Sequence, residues 1–201
     1  MSISESTAPR KDSGFMTILA TLGFLLIFYG CQNNPTSDAD TFQFPLASYR
    51  IWQPFANKNP QFNSKYHCAE DAYGDGGTEV YAIADGKISY SGSMLGYGWL
   101  IIVDHPGHKV YSLYGHLSTR RTKATSGEVQ KGEVIGYLAD DDEDGSGGTY
   151  PDWGPHLHFG LRQGSRADYP DSGDDRWMAG YTVAHPNDLG WLEPTVFIEE
   201  H

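Results

Sequence analysis

The stretch His156-Leu157-His158-Phe159-Gly160-Leu161 decides the fold. Apolar and non-apolar residues alternate over most of it, and successive side chains of a strand point to opposite faces. Residues 156–161 therefore read as a strand. Leu157 and Phe159 turn into a core, while His156 and His158 project together from the other face. Two imidazoles about 7 Å apart along one face do not easily bond one ion together. One can bind a metal while the other faces water or a substrate.

Outward from this stretch, the same reading recurs. Residues 80–84, 87–91, 100–104, 109–117 and 133–139 are further short strand candidates, bounded by Gly, Asp or Pro. No long 3.6-residue period appears, and 24 glycines suit a turn-rich chain. The chain reads as mainly β. At the end of 109–117, Tyr114 and His116 are two apart and are expected to share a strand face.

A second ligand-bearing stretch is His67-Cys68-Ala69-Glu70-Asp71. In a straight strand, His67 and Asp71 would lie roughly 13 Å apart. Zinc–ligand bonds are only about 2 Å long, so the chain must curl if both are to hold one ion. Cys68 has the right chemistry for zinc, but it adjoins His67 and would point away in extended chain, which makes it a bystander. His105, His108, His185 and His201 lack a matching partner and are expected on the solvated surface. Any one of these residue types alone is most simply a surface or hydrogen-bonded side chain. Together, Asp71, His67, His116, His156 and His158 offer three ligands with an open fourth position, plus two imidazoles for proton transfer.

Six motifs between about Tyr66 and Arg162 occur in an order that resembles the M23 metallopeptidase family, the lysostaphin/LytM-type zinc endopeptidases. They are His67 to Asp71, Gly77 through Val80, Ala82 and Gly86 to Ile88, and Gly96-Tyr97-Gly98 through Ile102 to His105. Tyr114-Gly115-His116-Leu117, Lys131-Gly132 through Ile135-Gly136, and Gly154-Pro155-His156-Leu157-His158-Phe159 complete the set. The resemblance implies a single antiparallel β-sheet or sandwich-like domain with a zinc site carried in a groove. It implies that His67, Asp71 and His158 bind Zn²⁺, and that His116 and His156 are the catalytic imidazoles. Which of the two is the base stays open. One departure is Ala69, where the family usually has Gly; Ala costs little unless that position needs positive φ.

Residues 15–29 form a mostly apolar run preceded by Arg10 and Lys11, too short for a comfortable membrane span but suited to a signal-peptide core. The run ends at Phe28-Tyr29-Gly30-Cys31, which resembles a bacterial lipoprotein signal and implies lipidation of Cys31. An ordinary cleaved signal or a short anchor are the alternatives. Either way the domain is expected in the cell envelope, facing the periplasm or cell wall. The mature chain then holds one thiol, Cys68, and no internal disulfide. With 26 acidic against 14 basic residues, the formal net charge is −12. That balance argues against nucleic acid and anionic membrane surfaces as partners.

The expected organisation is a signal peptide over 1–30, a tether over 31–43, an irregular segment over 44–65, the peptidase core over 66–162 and a C-terminal extension packed on it over 163–201. The expected activity is zinc-dependent hydrolysis of peptide bonds in peptidoglycan by a metal-activated water. A non-enzymatic envelope protein that activates a cell-wall amidase, and a zinc protease acting on envelope proteins, are the alternatives. The acidic run Asp140-Asp141-Asp142-Glu143-Asp144-Gly145 mimics the start of a calcium loop but has Pro151 where Glu is needed. It reads as a solvated loop at the cleft rim, selecting basic or amine-bearing peptides. Asn57, Asn59 and Asn63 lie where a residue of the upstream segment could reach and block the metal's open position, although solvated loop residues are the simpler reading.

Overall fold

The computed structural model describes residues 41–143 and 154–201. The expected signal peptide, Cys31, most of the tether, and Asp144 and Gly145 of the acidic run lie outside the described residues. In chain order the strands are β1 (Ile51–Gln53), β2 (Lys58–Asn59), β3 (Lys65–His67), β4 (Glu70–Tyr73), β5 (Glu79–Tyr81), β6 (Gly86–Met94) and β7 (Gly98–His105). There follow β8 (Val110–Leu117), β9 (Glu128–Val129), β10 (Val134–Tyr137), β11 (His156–Gln163), β12 (Tyr181–Thr182), β13 (Trp191–Leu192) and the helix α1 (Pro194–Glu200).

An eight-stranded antiparallel sheet carries the domain, in the order β1-β4-β11-β8-β7-β6-β9, with β13 paired to β11. Strands β10 and β5 form a separate pair, and β12-β3-β2 a third, small sheet. The chain is mainly β and antiparallel, as read from the sequence.

Both faces of the large sheet are covered. Ile101 and Val103 of β7 enter one core with Tyr114, Leu157 and Phe159; β5, β10, Phe42, Leu46 and Ile198 of α1 close it. Leu100 and Ile102 of the same strand enter a second core with Tyr111, Leu113, Trp177 and Trp191. Burial on both sides explains why Leu100 to Val103 is continuously apolar instead of alternating. Each such side chain contributes roughly 1.5–3 kcal/mol by leaving water.

Several boundaries differ from the sequence reading. Residues 44–65, expected to be irregular, supply β1 and β2, and β1 extends the large sheet through β4. Phe42 and Gln43, placed in the tether, dock on the domain: Phe42 is buried and the Gln43 amide donates to the Ile83 carbonyl at 2.9 Å. The strands of two or three residues are too short to show any period. The C-terminal extension ends in a helix of seven residues, with Pro194 at its start. Its N-terminus is capped from afar: Glu70 of β4 accepts from the Thr195 amide at 3.3 Å and hydroxyl at 2.7 Å.

Candidate metal centre and its cleft

The curl required between His67 and Asp71 is a change of sheet. His67 ends β3 in the small sheet, and Asp71 lies in β4 of the large one. Asp71 stands directly opposite His158 in the β4–β11 register. Ala69 does not have positive φ, so the side chain there is unstrained. Three donor atoms converge: His158 Nδ1 is 2.9 Å from Asp71 Oδ1, His67 Nε2 is 3.3 Å from the same oxygen, and the two nitrogens are 3.2 Å apart. Four ligands at zinc bond lengths sit about 3.3 Å from one another on a tetrahedron. The donor set, its spacing and its burial fit a zinc ion. The outer nitrogen of His67 donates to the Pro54 carbonyl at 3.3 Å, which leaves Nε2 for the metal.

Electrostatics favours the same assignment. Burial alone would raise the Asp71 carboxyl, but the imidazoles of His67 and His158 outweigh it and hold the group well below the usual carboxylate range. Burial pushes His158 down, against the pull of Asp71. A neutral imidazole and an ionised carboxylate are the ligand forms zinc takes.

His116 reaches the same space by an unexpected route. Tyr114 is opposite Phe159 and shares its core face, while Gly115 is opposite His158 on the site face. Regular alternation would put His116 with Tyr114, inside the core. Instead His116 has φ +62°, the β7–β8 register shifts beside it, and its side chain lines the cleft. The expectation that Tyr114 and His116 share a face is therefore wrong. The left-handed residue reverses the alternation, and Leu117 then returns to the core of Tyr114. Gly115 is needed there: a Cβ on it would lie 2.6 Å from the Tyr97 ring. Burial first, then the neighbouring His156 and His158, hold the His116 imidazole well below its usual range.

His156 Nδ1 donates to the Gly154 carbonyl at 2.9 Å, which leaves Nε2 as an acceptor. Its ring centre is 4.5 Å from that of His116 and 5.0 Å from that of Trp52. These residues line one cleft of about 560 Å³ together with Asp71, His158, Tyr97 and Tyr181. The structure thus brings together all five residues singled out from the sequence. Cys31 lies outside the described residues.

Other residues take different places. Cys68 is buried, 3.3 Å from the Thr182 hydroxyl and outside the donor cluster, and burial pushes its thiol up to about 11. His105 is not on the surface. It is fully buried, Nδ1 donates to the Asp85 carbonyl at 2.9 Å, and Nε2 lies 2.8 Å from the Ser112 hydroxyl. Asn59 is spent within the fold: its side-chain oxygen accepts from the Gln61 amide, and its nitrogen bonds Gln53 and Tyr181. In the acidic run, Asp140 pairs with Arg121, and Asp142 and Glu143 with Arg120. Only Asp141 lines the cleft without an ion pair among the described residues.

Sequence reasoning did not assign site roles to Trp52, Tyr97 and Tyr181. Tyr97 lay inside a quoted motif, and its ring stands edge-on to His158 with centroids 5.4 Å apart. Tyr181 pairs with His67 across β12–β3 and accepts from Gln53 at 2.8 Å. Nothing in the pattern around Trp52 marked it.

A buried His-Asp-His donor triangle that could hold a metal ion, beside two further imidazoles in a cleft of an antiparallel sheet, is the arrangement of a candidate metal centre. Residues 65–170, just over half of the chain, match peptidase family M23, and the chain belongs to that family. It is 36% identical over 120 residues to the DD-carboxypeptidase/endopeptidase Mpg of Neisseria meningitidis serogroup B, covering 59% of this chain and 25% of that protein. The Mpg protein of Neisseria gonorrhoeae matches to the same degree. The chain spans about a quarter of the length of these curated relatives. Among solved structures, the catalytic domain of the antimicrobial peptidase lysostaphin from Staphylococcus simulans superposes with a TM-score of 0.53 at 22% identity, covering 75% of this chain and 92% of that one. The cbpa protein of L. salivarius REN gives 0.54 at 17% identity, covering 80% and 95%. These two likenesses establish the fold.

Proposed function

We propose that this chain is a zinc-dependent endopeptidase that hydrolyses peptide bonds of peptidoglycan peptides. The observation that carries the reading is the convergence of His67 Nε2, Asp71 Oδ1 and His158 Nδ1 within 3.3 Å of one another, with His116 and His156 in the same cleft. His67, Asp71 and His158 would hold the ion. When bound, Zn²⁺ supplies Lewis acidity, polarising the scissile carbonyl and making a water nucleophilic near neutral pH.

The chain's own residues do the rest. His156, oriented by the Gly154 carbonyl, offers Nε2 as a proton acceptor. His116, kept neutral by burial, offers a ring N–H that can hydrogen-bond developing charge on the carbonyl oxygen. Hydrolysis forms the C–O bond, breaks the C–N bond and returns a proton to the leaving amine. Tyr97, stacked on His116, and Trp52, edge-on to His156, help keep the two imidazoles in place. Asp71, His116, His156 and His158 line one cleft and His67 lies against Asp71 and His158 just behind it, which supports an enzyme over a non-enzymatic amidase activator. The Mpg relatives, named for carboxypeptidase and endopeptidase activity, favour wall peptides over envelope proteins as substrate.

We further propose that Cys31 carries a lipid and that the domain faces the periplasm or cell wall.

Turnover of a cross-linked stem peptide by His116→Ala and His156→Ala tests the division of labour. Each variant should retain one zinc per chain and lose at least about 100-fold in kcat. Loss of zinc from either, or undiminished turnover, would refute the assignment.

A further inference from the structure

We propose that Arg176, assisted by Lys65, reads a carboxylate in the cleft. The domain then prefers peptides with a free carboxylate beside the scissile bond over otherwise identical neutral ones. The proposal deepens the peptidase reading and rests on it.

The charge pattern points this way. The chain has nearly twice as many acidic as basic residues, yet Lys65 and Arg176 line the cleft, and neither makes an ion pair among the described residues. The acids of the acidic run do not neutralise them. Asp140 is engaged by Arg121 through two bonds of 2.8 and 2.9 Å, and Asp142 and Glu143 face Arg120.

Both cations stand beside the metal centre. Lys65 lies two residues before His67 on β3 and so shares its strand face. Arg176 lies two residues before Met178, whose carbonyl accepts from the Tyr97 hydroxyl at 2.9 Å, and the Tyr97 ring stands against His158.

The backbone at Arg176 is pinned while its guanidinium is left available. Its carbonyl accepts from the buried Arg162 at 3.1 Å, Trp177 beside it is buried, and the Met178 carbonyl accepts from the Tyr97 hydroxyl at 2.9 Å. Among the described residues the side chain itself makes one hydrogen bond, from Nη1 to the Gly173 carbonyl at 2.8 Å. A planar guanidinium on a fixed backbone suits bidentate capture of a carboxylate. Met94 and Met178 line the adjoining wall and suit a small apolar side chain.

The test uses two synthetic peptides ending in D-Ala-D-Ala, one a free acid and one a carboxamide, with the full zinc-loaded chain. Wild type should favour the acid by roughly tenfold to a hundredfold in kcat/KM, mostly through KM. Arg176→Gln should bring that ratio to about one, and Lys65→Gln should lower it partway. Equal kcat/KM for the two peptides in wild type, or an acid preference that survives Arg176→Gln, would overturn the proposal. If wild type cleaves neither peptide, digestion of peptidoglycan decides the peptidase reading separately, since an endopeptidase need not remove a terminal residue. Calorimetric binding of both peptides to His116→Ala, with and without Arg176→Gln, then decides the carboxylate question. An acid preference that disappears with Arg176 supports it, and equal binding refutes it.

Discussion

The His116 amide donates to the Tyr97 carbonyl at 2.7 Å, and this bond holds His116 at φ +62°. The next peptide is pinned as well, since the Ala139 amide donates to the His116 carbonyl at 3.0 Å. A left-handed non-glycine costs of order 1 kcal/mol and persists where the surroundings enforce it. The strain turns a side chain that strand alternation would send into the core toward the metal centre. His116→Gly should therefore be more stable than His116→Ala by about 1 kcal/mol, the reverse of the usual order. Urea unfolding of the two variants measures this. Ala equal to or above Gly would remove the strain argument.

A buried neutral histidine makes the fold acid-sensitive. Burial lowers His105 from its ordinary 6.5 to about 4, partly countered by its bond to the Asp85 carbonyl. The folded-state value is depressed, so its contribution is complete above pH 6.5 and is lost as pH falls toward 4. In that window the unfolded chain binds a proton that the folded one does not, at a cost of roughly 3 kcal/mol in all. His105→Gln should reduce the slope of unfolding free energy against pH by up to one proton between pH 6.5 and 4. An unchanged slope would show that His105 does not titrate this way.

Arg162 is buried without a carboxylate partner among the described residues. Nε and Nη2 donate to the Leu189 carbonyl at 2.9 and 2.7 Å, and the guanidinium lies 3.4 Å from the centre of the Tyr169 ring. It fastens the C-terminal extension to β11. Arg162→Met fills similar space but leaves the Leu189 and Arg176 carbonyls without their donor. It should lose about 3 kcal/mol in urea unfolding. A loss under about 0.5 kcal/mol would mean that water or a rearrangement replaces the guanidinium.

Zinc should stabilise the fold through Asp71. At free zinc 100 times its dissociation constant, unfolding free energy should rise by about 2.7 kcal/mol. Asp71→Ala should lose most of this gain. Thermal unfolding with and without added zinc measures both. An equal gain in the variant would place the ion elsewhere.

Much of the site was legible because β alternation is a strong signal where one face is apolar. Leu157 and Phe159 are both fully buried, and His156 and His158 both line the cleft. Asp71 was legible through motif order, since its link to His67 runs through a change of sheet that no period encodes. His116 was found as a residue but not as a geometry, because positive φ at a histidine is imposed by its neighbours and not by its type. Arg162 and His105 were missed as structural residues for a related reason. Polar side chains enter a core when tertiary carbonyls or hydroxyls satisfy them, and those partners are distant in sequence. The terminal helix was too short for a period, although Pro194 marked its first turn. The arginine partners of the acidic run, some 20 residues upstream, could not be read from the run itself, and among the described residues they narrow any amine-binding role to Asp141.

Digestion of purified peptidoglycan by the zinc-loaded protein, with released fragments identified by mass, tests the central claim most directly. Wild type should release peptide fragments cut at peptide bonds, and both a chelator and His158→Ala should stop their release. Cleavage that persists in both conditions, or no cleavage by demonstrably zinc-loaded wild type, would contradict the account.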